Sequence, residues 1–311
     1  MILTVTPNSA VDWTVSIPHF HWEQPLRANS AVWGVAGRPA SAAWILGELG
    51  IIATAMGFVA GTSGEKLIEL LEAKNVETDF TWVGGETRLN VHIVNQQTGE
   101  QTLLAVDTLE ITNTQRERFT RRFHKKLAHA DALVIGSSLP ASIDPDFFNN
   151  LITAAKEMDV PVVLDTCSPH LAHALLAAPT VIKPNRTELS SVAGEHITTI
   201  EQAYRVARAI LDQTGTQVIV TLDTDGTLAV LKESAFRIPA PVLTAIESTA
   251  GAGAGVLAGI AYALANSLPI QEGIRLGTAA AGAVILTPAT ADCRKEDVEL
   301  LLPTIELIPY P

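Results

Sequence analysis

The chain has 311 residues, 47% of them hydrophobic and only 17% charged, which suffices for one large α/β domain with a small appendage. Its net charge of −12 argues against partners that are nucleic acids or anionic membrane surfaces, while a local cluster of donors can still hold a phosphate. Two cysteines, Cys167 and Cys293, without ligand spacing argue against a disulfide scaffold or a zinc site and fit a reducing cytoplasm.

Met1-Ile-Leu-Thr-Val lacks a basic segment and reaches the polar Thr6-Pro-Asn8 within one strand length, so no signal peptide is expected. Apolar runs predict buried strands at Ile2–Val5, Ala53–Val59, Ala132–Ile135, Val162–Leu164, Thr180–Ile182 and Val218–Leu222. Helical patterns lie between them. In Ser63–Lys74, Ser63 is the expected N-cap and Leu67, Leu70 and Leu71 form one apolar face. Such alternation implies βαβ units and a mostly parallel sheet covered on both faces, a three-layer α/β/α architecture.

Period-two alternation interrupts this texture at Asp12–Ile17, Arg88–Val94 and Gln101–Val106, most clearly in Leu89-Asn90-Val91-His92-Ile93. A small antiparallel β lid over one edge of the domain is expected, inserted at about 12–36 and 87–106. Residues 112–129 carry Arg116, Arg118, Arg121, Arg122, Lys125 and Lys126 and read as an amphipathic surface helix. The longest apolar stretch, Ala250 to Ala265, is glycine-rich and shorter than the roughly 20 residues of a membrane span, so it reads as a buried helix. No repeat or linker divides the chain, and residues 1–311 are taken as a single domain. The eight histidines show no metal spacing, and Trp13, Trp22, Trp33, Trp44 and Trp82 are expected to pack around the lid.

Chemistry concentrates in Ser248-Thr-Ala-Gly-Ala-Gly-Ala-Gly255, followed by the helical Val256–Leu264. A glycine-rich turn entering a helix presents free N–H groups and the positive end of the helix dipole, an arrangement that holds phosphate and stabilises a transferring phosphoryl group. A dinucleotide fingerprint is a poor match, because the glycine spacing differs and no acidic residue follows at the expected distance.

This segment resembles the Thr-x-Gly-Ala-Gly-Asp signature of the PfkB carbohydrate kinases, which have the ribokinase-like fold. Other blocks fall in the family's order: Thr6-Pro-Asn8-Ser-Ala-Val-Asp12, Thr87-Arg88-Leu-Asn90-Val, Ser137-Ser138-Leu-Pro140, Leu164-Asp165-Thr166, Ile182-Lys183-Pro184-Asn185-Arg-Thr-Glu188 and Thr221-Leu-Asp-Thr-Asp-Gly226. The resemblance spans nearly the whole chain and is strongest with the 1-phosphofructokinase and tagatose-6-phosphate kinase branch. It implies ATP with Mg2+ as donor and cofactor if the chain is active, and a sugar or sugar phosphate as acceptor. A homodimer formed through the lid is implied as well.

By that resemblance Asp12, Gly37, Arg38, Ser41, Arg88, Asn90 and Ser138 face the sugar. Lys183, Asn185, Glu188, Thr221, Asp223, Gly226, Gly251 and Gly253 face the nucleotide, with Asn185 and Glu188 reaching the metal through water. Gly251, Ala252 and Gly253 correspond to the anion hole. Local readings stand beside these: Asp12 as a turn residue, Arg88 and Asn90 as an exposed lid face, Glu188 in the first turn of a helix.

The chain departs from the family pattern at Ala254, where an aspartate takes the proton from the sugar hydroxyl. Alanine cannot accept a proton. The entrance Gly-Gly-Lys-Gly-x-Asn reads here Ala36-Gly37-Arg38-Pro39-Ala40-Ser41, and Asp223 replaces a glycine. The resemblance therefore implies either a sugar kinase of weak or redirected activity, or a pseudokinase that binds a sugar phosphate or nucleotide in a regulatory capacity.

Overall fold

Runs of valine, isoleucine and leucine give the central sheet its strands, and each strand sends alternate side chains to opposite faces. The structure, a computed structural model, describes residues 1–23, 25–106 and 109–311. Across the sheet the order is Gln217–Thr221, Val181–Ile182, Val162–Asp165, Ala132–Gly136, Ile2–Thr6, Ala53–Val59 and Glu77–Thr78, all parallel. Beyond Gln217–Thr221 the edge continues antiparallel with Thr227–Val230, Ala235–Ile238 and Ile308–Pro309.

Two cores cover the two faces, as the sequence leads one to expect. Ile2, Val134, Val163, Val181 and Ile219 pack under the helices Arg38–Glu48, Ala252–Ala265 and Ile270–Ile285. Leu3, Val5, Leu133, Ile135, Leu164 and Val220 pack under Asn113–Leu127, Phe147–Glu157 and Ile200–Thr214. The basic segment is indeed a surface helix, Asn113–Leu127, whose buried stripe is Phe119, Phe123 and Leu127. Among the described residues no helix is long and apolar enough to cross a membrane.

The lid is a four-stranded sheet in the order Ser30–Ala36, Ala10–Ile17, Arg88–Asn95, Gln101–Leu104. It is mixed rather than antiparallel. Ala10–Ile17 and Arg88–Asn95 run parallel, because the chain leaves the lid through the main domain and returns from the other side. Trp13 and Trp33 stack in the lid with centroids 5.8 Å apart. Trp44, by contrast, belongs to the main domain, where its Nε1 donates to the Leu70 carbonyl.

One cap differs from expectation. The second helix spans Gly61–Ala73, so Ser63 lies inside it. The Ser63 N–H instead donates to Glu86 Oε1 at 2.6 Å, a carboxylate delivered from 23 residues further on.

Candidate active site

The parallel strands end along one edge: Asp165 closes Val162–Asp165, Lys183 follows Val181–Ile182, and Ser138 and Asp223 come shortly after Ala132–Gly136 and Gln217–Thr221. The strand order reverses at Ile2–Thr6: the chain next joins the sheet at Ala53–Val59 on one side and later at Ala132–Gly136 on the other. In open α/β sheets, the crevice outside such a switch point is where ligands bind.

On the lid side, the register sets Asp12 opposite Asn90. Asp12 is buried; its Oδ1 accepts from Asn90 Nδ2 at 2.8 Å, and its Oδ2 lies 2.7 Å from His92 Nε2. Asn90 Oδ1 is buried without a hydrogen-bond partner among the described residues. His92 is an addition to the site residues expected from the sequence. The available signal was its two-residue spacing from Asn90, which puts both side chains on the same face of the strand. Further along, Arg88 Nη2 donates to the Asn8 carbonyl at 3.1 Å, and Asn8 Nδ2 donates to Ser138 Oγ at 2.9 Å. The small sheet thus places the Asp12 carboxylate at one point and the Arg88 guanidinium at another.

Gly37 begins the Arg38–Glu48 helix at φ +90°, where an added Cβ would lie 2.5 Å from Thr6 Cγ2. Thr6 Oγ1 accepts the Ala40 N–H at 2.9 Å and the Gly37 carbonyl accepts the Ser41 N–H at 2.8 Å. Pro39 has no N–H to offer. Ser41 is buried and gives its hydroxyl proton to the Val35 carbonyl at 2.8 Å.

At the centre lies a quartet of charges. Arg38 Nη1 binds Asp165 Oδ1, and Arg38 Nη2 binds Glu188 Oε1 at 2.5 Å. Lys183 Nζ lies 3.1 Å from Asp165 Oδ2. The Asn185 side chain accepts the Glu188 N–H, while Glu188 Oε2 accepts the Asn185 N–H at 2.9 Å, a reciprocal capping box that starts the Arg186–Ala193 helix. The Asp165 carboxylate holds the Arg38 guanidinium further above its ordinary range, burial opposing it less strongly. Arg38, expected on the sugar side, therefore points its charge at Asp165 and Glu188.

The glycine-rich turn reaches the helix Ala252–Ala265 through Gly251 at φ +81°, where an added Cβ would lie 2.5 Å from the Ala291 amide nitrogen. The Ala252 N–H is engaged with the Thr249 carbonyl at 3.3 Å and the Ala254 N–H with Gly251 at 2.9 Å. Of the expected anion hole, the Ala252 N–H is thus spent within the turn. Ala254 is buried against the core. On the nucleotide side, the Thr221 N–H donates to the Pro184 carbonyl at 3.0 Å. Asp223 sits at φ +54°, with Oδ2 4.0 Å from Arg186 Nε, and Gly226 leaves no room for a Cβ beside the Ile238 carbonyl.

Residues 14–297 match the family described as pfkB family carbohydrate kinase. The chain is 30% identical to the 1-phosphofructokinase of Bacillus subtilis (strain 168) over 307 residues, covering 99% of each protein. The chain belongs to the PfkB family of carbohydrate kinases. Among solved structures it is similar to phosphofructokinase-2 of Escherichia coli in complex with substrates and products, with a TM-score of 0.87, 26% identity, and coverage of 97% of this chain and 98% of that one. The fold also matches a possible 1-phosphofructokinase of Thermotoga maritima over 100% of both chains, with a TM-score of 0.90 and 24% identity. The ribokinase-like α/β fold with its extra sheet is thereby established.

PfkB membership implies ATP and a divalent metal, and the metal can be tested against the residues present. Each oxygen of Asp165 and Glu188 already receives a donor: Arg38 Nη1, Arg38 Nη2, Lys183 Nζ or the Asn185 N–H. Among the described residues no group of three or more His, Cys, Asp or Glu side chains is placed to hold a metal ion. Arg38 and Lys183 already compensate the charge of these two carboxylates, so direct coordination of magnesium by them does not fit this arrangement.

Proposed function

We propose that this PfkB homologue binds a sugar or sugar phosphate beneath its lid, and that ATP-dependent phosphoryl transfer to the sugar hydroxyl is weak or lost. The observation that carries this reading is Ala254, buried in the first turn of the helix behind the glycine-rich turn, where the family's signature has its proton acceptor. General-base assistance is worth about 10²–10⁴ in rate, or roughly 3–5 kcal/mol of barrier. Phosphoryl transfer depends mainly on positioning and electrostatics, so loss of the base alone leaves room for slow turnover.

A hexose phosphate is the favoured ligand. Asp12 supplies acceptors for sugar hydroxyls, and Arg88 supplies a cation suited to a phosphate. The relative from Bacillus subtilis bears the name 1-phosphofructokinase, which agrees with that choice. The same reading includes a cytoplasmic homodimer joined through the lid.

A second reading, a pseudokinase that acts by binding alone, is favoured by the ion pairs that tie Arg38 to Asp165 and Glu188. Calorimetric titration with Mg-ATP and a panel of hexose phosphates, followed by a turnover assay on whatever binds, separates the two. Binding with trace turnover fits the first, and binding with none fits the second. Turnover at an ordinary kinase rate of about 1–100 s⁻¹ would sink both.

A further inference from the structure

Asp165 and Glu188 come from different elements, the end of the strand Val162–Asp165 and the first turn of the helix Arg186–Ala193, and a single guanidinium joins them. Their side chains are only 2% and 7% exposed. Such carboxylates need compensating positive charge, because desolvation penalises an unpaired buried anion. In a kinase cleft that charge can come from a divalent cation, held through oxygen ligands or through its water. Here it comes from the chain. Arg38 and Lys183 contribute two positive charges, Asp165 and Glu188 two negative ones, and all four carboxylate oxygens have a donor.

The shape of the cation matters. A guanidinium presents donors in a planar fork, and Nη1 and Nη2 reach two different carboxylates at once. It also stays charged at every pH the protein will meet. An ammonium at this position is a point charge on a shorter reach. Arg38 is fixed at its root as well, since Gly37 and Thr6 close tightly around the helix start. Moving the guanidinium aside would leave Glu188 Oε1 buried without its donor. Bringing a doubly charged cation alongside would set like charges a few ångströms apart.

We propose that the Arg38 guanidinium stands in for the divalent cation in this cleft, so that the site takes its phosphate-bearing ligands without a metal. The inference rests on reading the cleft as the PfkB site, but it concerns metal occupancy and not turnover. An anion entering the cleft then meets Lys183 and the start of the Ala252–Ala265 helix as a metal-free phosphate. Metal bound by nucleotides in solution is left behind or contributes nothing to affinity.

Crystals of the full chain grown with ATP and manganese chloride test this through the anomalous signal of manganese. The wild type is expected to show no manganese beside Glu188, and Arg38→Met is expected to show it there. Manganese beside Glu188 in the wild type overturns the proposal. Manganese in neither protein also overturns it, because Arg38 would then not be what fills the metal's place. Should Arg38→Met fail to fold, Arg38→Lys serves instead, its single ammonium leaving one carboxylate open. In solution, any ATP affinity of the wild type should agree within about threefold between EDTA and excess Mg2+. A tenfold or greater tightening by Mg2+ overturns the proposal independently. Because neither readout involves catalysis, a failed turnover assay and a failed metal assay are told apart.

Discussion

Gly253 lies beside Lys183, and a Cβ added at residue 253 would come into van der Waals contact with the lysine Nζ at 3.4 Å. The lysine is buried and ion-paired to Asp165, so its ammonium cannot easily retreat. Glycine at 253 thereby keeps open the space between the helix entrance and the buried charge, where a phosphate would be drawn by both.

Gly253→Ala should consequently separate stability from binding. Residue 253 is helical, and Gly→Ala in a helix gains roughly 0.5–1 kcal/mol. Urea denaturation is expected to show that gain, while titration with phosphate or ATP shows weaker binding than in the wild type. Unchanged anion affinity in a stabilised protein would mean that the space beside Lys183 is not used.

Asp223 occupies a glycine-like backbone at φ +54°, a conformation that costs an L residue roughly 1 kcal/mol. Its exposed carboxylate reaches Arg186 only at 4.0 Å, so little pairing energy offsets that strain. Asp223→Gly should leave stability equal or slightly raised and should tighten ATP binding by removing a negative charge near the expected nucleotide. If ATP affinity does not change in a titration of the two proteins, Asp223 lies off the nucleotide path.

Much of this could be read in the residues, and what could not has a physical reason. Period-two and continuous apolar runs located the lid and the parallel strands, since both patterns are local. The parallel pairing of Asp12 with Asn90 was out of reach, because it depends on a return path through the main domain. The second helix begins before the expected cap Ser63, and the carboxylate that meets its first turn, Glu86, comes from a distant segment. Arg38 lies 127 residues from Asp165 and 150 from Glu188, and no sequence pattern couples them.

The lid has one face lined by Asp12, Asn90 and His92, while Trp33, Leu89 and Leu104 are exposed, Trp33 to 40%. Exposed apolar side chains on a sheet with an open edge are expected to be covered by a second copy. Sedimentation should show a dimer, and Trp33→Glu should shift it toward monomer while leaving the far-UV spectrum intact. A wild type that stays monomeric at high concentration removes the homodimer.

Cys293 is buried, and desolvation pushes its thiol from 9.0 up to about 12. A thiol raised on folding holds its proton more firmly in the native state. Its contribution to stability is therefore complete below about pH 9 and is lost as the pH rises toward 12. In the native protein near pH 8, Cys293 should resist alkylation and the half-buried Cys167 should react first. Two equally fast thiols per chain would contradict the burial of Cys293.

An aspartate placed at residue 254 tests the proposed function, and the charge quartet determines how the test should come out. Ala254→Asp supplies a base of the kind worth about 10²–10⁴ in rate. The same cleft still has Arg38 holding Asp165 and Glu188, so the electrostatic part of phosphoryl transfer stays altered. The single change should therefore raise any residual hexose-phosphate kinase rate by less than Ala254→Asp combined with Arg38→Lys. For the pair, a gain of about 10²-fold or more is expected in a coupled assay with Mg-ATP. Groups that act together in one transition state are strongly non-additive, so the double variant should exceed the product of the two single gains. A product that simply multiplies would show that Arg38 and the base act independently. If the double variant folds and stays silent with hexoses, hexose phosphates and nucleosides alike, loss of the base is not what limits the protein. The closed helix entrance at Pro39 and Ser41, whose donors are absent or already engaged, then becomes the cause to test next.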